Sequence, residues 1–207
     1  MFFSFDGIDG VGKTTQIDLF CQWLRERGAE VVICRDPGSS PLGERVREIL
    51  LHSDGDTPIG RRAEMLLYMA ARAQLVDQVI RPALVAGKTV VSDRYLLANI
   101  VYQGYAGGLD VEMIRGVGAV AVDGVWPDAV FLLDMAPAAA DGRLCRALDR
   151  MEQQGGDYRE RLRAGFLAEA ARAEGHIHRI DADRSVEAVQ AEIRSVAEKL
   201  LVGHGFG

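Results

Sequence analysis

The chain has 207 residues, with 24 Lys+Arg against 30 Asp+Glu and a formal net charge of −6. A chain of this length buries roughly 70% of the surface it exposes when unfolded, so one core forms without disulfide or metal staples. Its acidic balance excludes a general field that would gather nucleic acid or an anionic membrane, so any anion must be caught by a local cluster.

Short apolar runs alternate with amphipathic stretches, the pattern of α/β units around a mostly parallel sheet. A strand is expected at residues 2–5, followed by a glycine-rich turn and a helix over 13–27 that Gly28 closes. The next strand, 30–34, leads to a helix at 42–51. A third helix starts near Arg61 and is expected to break at Arg81-Pro82, because proline lacks the N–H that a helix interior needs. After a strand at 89–92 come helices at 95–102 and 111–122. A strand at 129–133 precedes helices at 136–153 and 157–174, and the last pair is a strand at 176–180 and a helix at 185–202. No repeat or linker divides the chain, so one domain is expected over 1–207. Three cysteines without C-x-x-C spacing read as reduced thiols, and the first five residues are too short an apolar run for a signal peptide or a span. A cytoplasmic setting follows. His52, His176, His178 and His204 have no metal or dyad spacing, and Trp23 and Trp126 read as packing residues.

In open α/β sheets ligands sit at the carboxyl ends of strands, so the segments after strands hold the candidates. Gly7-Ile8-Asp9-Gly10-Val11-Gly12-Lys13-Thr14, followed by Thr15, fits G-x-x-x-x-G-K-[ST] between a strand and a helix. Glycines let successive N–H groups aim at one anion, and the helix start adds unpaired N–H groups and its positive dipole end. In this motif Lys13 reaches the β- and γ-phosphates of a nucleoside triphosphate and the Thr14 hydroxyl ligates Mg²⁺. A second Mg²⁺ ligand is needed at a strand end, where Asp93 and Asp134 both qualify. Asp93 is favoured because Arg94 beside it makes a combined metal and phosphate corner, whereas Asp134 suits a helix N-cap.

Beyond this loop the chain resembles the thymidylate kinase family from Phe3 to about Ala171. Phe3 to Gln16 follows the pattern F-x-x-E/D-G-x-D/E-G-x-G-K-T-T-Q, and Arg35-Asp36-Pro37-Gly38 looks like its R-E-P-G segment. Leu66-Leu67-Tyr68 with Arg72-Ala73-Gln74, and Asp93-Arg94-Tyr95 with Tyr102-Gln103-Gly104, are similar to its base-binding helix and its D-R-Y…Y-Q-G signature. Leu148 to Glu152 and Arg161 to Phe166 resemble a bacterial lid and the helix after it. The resemblance implies a three-layer P-loop NTPase fold, a five-stranded parallel sheet flanked by helices with a short helical lid near 140–156. It also implies a homodimer that transfers the γ-phosphoryl group of ATP to dTMP, with Mg²⁺, and no nucleic-acid or membrane partner.

The acceptor oxygen in that reaction is already anionic, so catalysis reduces to alignment and charge neutralisation, which suits arginine. Arg35 and Arg94 are placed to clamp the acceptor phosphate and the transferring group, with Pro37 beside them. Asp9, a carboxylate inside a phosphate loop, is assigned to positioning the acceptor or its metal. Some relatives carry an arginine in this loop where Gly10 stands, so the missing charge is expected from Arg143, Arg146 and Arg150 in the lid. Tyr68 matches the aromatic that stacks on thymine, and Arg72, one turn on, is placed to donate to a base carbonyl. Asn99 and Gln103 are placed to read the pyrimidine edge, and Tyr102 to lie under the deoxyribose. Asp36 in place of glutamate, Ser39-Ser40 in place of Gly-Thr, and Ala98 in place of serine leave a kinase for another deoxynucleoside monophosphate open. A catalytically silent nucleotide-binding relative is the other alternative.

Overall fold

The computed structural model describes residues 1–52, 58–143, 156–173 and 175–203. Five parallel strands, β1 (Phe2–Asp6), β2 (Val31–Arg35), β3 (Thr89–Asp93), β4 (Ala129–Asp134) and β5 (Ile177–Asp181), form one sheet in the order β2-β3-β1-β4-β5. Strand β1 is central and buried at every position, as fits a strand covered on both faces. Alternation along it divides the core. Phe3 and Phe5 point toward Phe20 of helix α1 (Lys13–Glu26) and toward Phe131, with ring centroids 5.0–5.9 Å apart. Phe2 points the other way, edge-on to Tyr95 at 5.0 Å, into a cluster with Met65, Met69 and Ile114. The edge strands β2 and β5 are only partly buried and carry Arg35 and Arg179.

Helices α2 (Pro41–His52) and α3 (Arg61–Leu75) pack against each other beyond β2. The break expected at Arg81-Pro82 does not occur. Instead α3 passes into a π-helical turn, Val76–Ile80, and then α4 (Arg81–Val85). The Arg81 N–H bonds to the Val76 carbonyl, five residues back, and Pro82 falls in the first turn of α4, where a missing N–H is harmless.

The helix expected at 95–102 is also revised. Tyr95 is extended, α5 spans Leu96–Asn99, and a π-helical segment continues over Ile100–Ala106. α6 (Val111–Val122) is capped by Asp110, whose carboxylate accepts from the Met113 N–H at 2.8 Å. Of the helix expected at 136–153, α7 forms Pro137–Asp141 and Gly142 and Arg143 form a turn, in keeping with the low helix propensity of glycine; the rest of that span lies outside the described residues. Most of the expected lid, including Arg146 and Arg150, lies outside the described residues. α8 (Gly156–Arg172) and α9 (Val186–Gly203) complete the layers, with Ser185 Oγ accepting from the Ala188 N–H at the start of α9. Trp23 is buried as expected, but Trp126 is 54% exposed and packs into no core. Among the described residues no helix is long and apolar enough to cross a membrane.

Candidate active site

Strands β1, β2 and β3 and the loop after β5 all open at their carboxyl ends onto one cleft of about 810 Å³. It is lined by seven basic side chains and three acidic ones, so a protein of charge −6 presents a locally positive site.

The chain leaves β1 through Gly7 at φ 137°, where a Cβ would lie 2.4 Å from the Leu133 carbonyl oxygen, so only glycine passes. Gly12, at φ 92°, turns the loop into α1, whose first residue is Lys13. Lys13 Nζ donates to the carbonyls of Gly7 at 3.1 Å and Ile8 at 3.0 Å and to Asp9 Oδ1 at 3.3 Å. Gly7 and Ile8 therefore lie beneath the cleft as supports, while Asp9 through Thr15 line it. Thr14 and Thr15 are exposed there.

Arg94 arrives from β3 in the left-handed region, φ 67°, an uncommon conformation for a non-glycine residue. Its N–H bonds to the Phe5 carbonyl at 2.9 Å, which ties the strained residue to the central strand. The guanidinium donates to Gly7 O at 3.0 Å, Asp9 Oδ1 at 2.6 Å and Tyr102 Oη at 3.1 Å, and it stands over the Tyr102 ring. Burial resists ionisation of Asp9, but Arg94 and then Lys13 outweigh it and hold the carboxyl well below the usual range. Burial and the neighbouring Arg94 both push Lys13 down from its ordinary value.

Asp93 and Asp134 separate cleanly in space. Asp93 lines the cleft with a buried Oδ1 that accepts no hydrogen bond among the described residues. Asp134 is held by Arg163 at 2.8 Å and Arg179 at 2.6 Å, outside the cleft.

On the other side of the cleft, Arg72 is almost fully buried, pairing with Asp36 at 2.5 Å and donating to Asn99. Asn99 in turn donates to Gln103 Oε1 at 2.7 Å. Tyr68 and Pro37 line the same wall. Arg35 lines it too, but its guanidinium pairs with Glu44 at 2.7 Å and is half exposed. Arg143 faces the end of the cleft formed by the loop after β5, donating to the Ala182 carbonyl at 3.3 Å.

Several residues escaped the sequence reading. Arg184 and Ser185 line the cleft from the loop after β5, a position the strand-end rule points to. Arg47 lines it from α2 and donates to the Pro37 carbonyl at 3.0 Å. Arg159 of α8 donates to the backbone carbonyl of Asp9 at 2.8 Å, and its Nε lies 3.0 Å from Asp141. No spacing marks it within an arginine-rich run.

The family model described as thymidylate kinase matches residues 5–193. A thymidylate kinase of Bifidobacterium longum (strain DJO10A) is 44% identical over 202 residues, 97% of this chain and 98% of that protein. One from Clavibacter sepedonicus is 45% identical over 204 residues, 97% and 96% of the two chains. The crystal structure of thymidylate kinase from Ehrlichia chaffeensis superposes with a TM-score of 0.77 at 30% identity, covering 95% of this chain and 98% of that one.

One group beneath the loop governs a pH effect. Asp6 is fully buried, neither carboxylate oxygen has a partner among the described residues, and burial, against the pull of Arg94, raises its pKa from 3.8 to about 7. Below about pH 4 folded and unfolded chains both carry this proton. As pH rises toward 7 the unfolded chain alone releases it, so stability falls by up to about 4 kcal/mol. Asp6→Asn removes that loss, and thermal unfolding should show its advantage over the parent growing from pH 5 to pH 8. An advantage independent of pH would contradict the assignment.

Proposed function

The chain belongs to the thymidylate kinase family and is a nucleoside monophosphate kinase, and we propose that it moves the γ-phosphoryl group of ATP to dTMP at this cleft, giving ADP and dTDP. The observation that carries the reading is the meeting of two subsites in one cavity. The Lys13, Thr14 and Arg94 end suits a polyphosphate, and the Tyr68, Arg72, Asn99 and Gln103 wall suits a planar base bearing carbonyls.

The attacking phosphate oxygen is anionic at neutral pH and needs no base to remove a proton. The protein's part is to hold two polyanions in line and neutralise charge between them. Loop N–H groups and Lys13 receive the donor phosphates, and Arg94, pinned by Asp9 and Gly7, stands at the junction with the acceptor. Arg35 and Arg47 approach the acceptor side, and Arg143 and Arg184 the donor side. Thr14, exposed in the cleft, and Asp93, with its free Oδ1, supply oxygen donors of the kind Mg²⁺ prefers. Mg²⁺ held by these residues would supply charge neutralisation to the donor phosphates.

A homodimer is supported by an apolar face that α3 and α6 share: Leu66, Met113 and Val120 are 52%, 38% and 80% exposed. Ala70 and Ala119 lie exposed beside them, and the two helices pack together. An apolar face of this kind fits a self-complementary contact.

Three measurements follow. An ADP-release assay with dTMP, dUMP, dCMP and UMP should give the highest kcat/KM for dTMP, and no turnover of millimolar dTMP would end the proposal. Lys13→Ala should lower kcat by ~100-fold or more with an unchanged circular-dichroism spectrum. Unaltered turnover would remove Lys13 from the phosphate site. Sedimentation should show a dimer for the parent and a monomer for Leu66→Glu/Val120→Glu, whereas a parent that sediments as a monomer refutes the shared face.

A further inference from the structure

Behind the base wall runs an unbroken line of buried hydrogen bonds that reaches a residue outside the cleft. Arg72 donates to Asn99 Oδ1, Asn99 Nδ2 donates to Gln103 Oε1 at 2.7 Å, and Gln103 Nε2 donates to Glu64 Oε1 at 3.0 Å. Arg72, Asn99 and Gln103 line the cleft; Glu64, in the first turn of α3, does not. All four are buried, with at most 8% of their surface exposed.

The line has a direction. Arginine offers only donors and an ionised glutamate only acceptors, so the two ends impose the same polarity on the two amides between them. Each amide is nearly symmetric in shape, and only its partners decide which end is oxygen. With Arg72 at one end, Asn99 must turn its oxygen to the guanidinium and its NH₂ to Gln103. With Glu64 at the other, Gln103 must turn its NH₂ away from Asn99 and keep its oxygen on the Asn99 side. Rotating the Gln103 amide by 180° would set two donors against each other at Asn99 and two acceptors against each other at Glu64. Removing Glu64 leaves only the first of those penalties, and the lost bond is the charge-assisted one, the stronger kind.

The base feels this polarity. Asn99 Oδ1 and Gln103 Oε1 each keep a second lone pair, so the wall combines the donors of Arg72 with amide acceptors. That combination complements a pyrimidine with a carbonyl at C4 beside N3–H. A rotated Gln103 would put N–H where an acceptor stood, which suits a ring with a bare N3 beside an amino group. A wall built for one pattern leaves buried polar groups unpaired when it meets the other, which is how hydrogen-bonding sites discriminate.

On the reading above that dTMP is the acceptor, we propose that Glu64 is a positioning residue for base selection: from outside the cleft it holds the Gln103 amide in the orientation that favours thymine over cytosine. The phosphate machinery at Lys13, Arg94 and Asp9 lies at the other end of the cleft, so the effect falls on acceptor KM more than on kcat.

The test is the ratio of kcat/KM for dTMP to that for dCMP, measured in the full chain. Glu64→Met, similar in size but without an oxygen acceptor, should lower the ratio at least ~10-fold through a raised KM for dTMP. Glu64→Gln keeps an oxygen acceptor and should restore most of it. Should Glu64→Met not fold, Glu64→Asp, which keeps the charge but withdraws the carboxylate by one methylene, is read in the same way and should also lower the ratio. A parent that prefers dTMP, with variants that lose activity on both nucleotides equally, would reduce Glu64 to a packing role and overturn the proposal. A parent that does not turn over dTMP would overturn the functional reading itself.

Discussion

Asp9 stands between Lys13 and Arg94, and without that carboxylate two neighbouring cations, Lys13 buried and Arg94 largely so, would repel each other at close range. Its Oδ1 lies 2.6 Å from the Arg94 guanidinium and 3.3 Å from Lys13 Nζ, and Tyr102 donates to its second oxygen at 3.3 Å. An acid inside a phosphate loop looks like an error when charge is counted along the sequence. In three dimensions it holds two positive charges together in fixed positions on the cleft wall, the kind of arrangement that a preorganised electrostatic site requires. Arg159 extends the same arrangement by gripping the Asp9 backbone carbonyl from α8.

Backbone geometry makes that cluster possible. Phe5 of β1 pairs with Asp93 of β3, and the strands end together, so the phosphate loop and Arg94 emerge side by side. Gly7 passes against the β4 carbonyl at a distance no Cβ tolerates, and Arg94 accepts a left-handed φ to turn its side chain onto Gly7 and Asp9. Such strain persists where the surroundings over-determine it, and here the sheet does so through the Phe5 to Arg94 hydrogen bond. The alternation of β1 also carries Asp6 under the loop, where its carboxylate has no hydrogen-bond partner among the described residues.

The opposite wall of the cleft rests on different physics. It is assembled from the segment after β2, α3, and α5 with its π-helical continuation, and its groups are joined by hydrogen bonds spanning up to 39 positions of sequence. The passage from α5 into π-helical turns carries Asn99, Tyr102 and Gln103 into the cleft. π-helical turns are frequent at functional sites. Periodicity places a helix near residues 95–102, but a register shift leaves no mark on an apolar pattern, and the same limit hid the π-turn that rescues Pro82. Arg35 shows another contribution of tertiary structure: it lines the cleft at a strand end, as its position predicts, and the fold adds Glu44 as its ion-pair partner.

By itself the sequence determined the sheet strands, the glycine-rich turn from Gly7 to Thr14 between strand and helix and the identity of the basic residues at strand ends, because glycine geometry, burial periodicity and motif spacing are local properties. Lys13 was also legible as the lysine for the cleft, since Lys88 pairs with Glu30 on the surface and Lys199 lies in α9. Tertiary structure alone decided which carboxylates are tied up and which are open. Asp134 is consumed by Arg163 and Arg179, Asp93 Oδ1 has no hydrogen-bond partner among the described residues, and Asp9 is pinned between Arg94 and Lys13. Glu64 became visible for the same reason. A charge acts through its neighbours in space, and for these groups the neighbours come from distant parts of the chain.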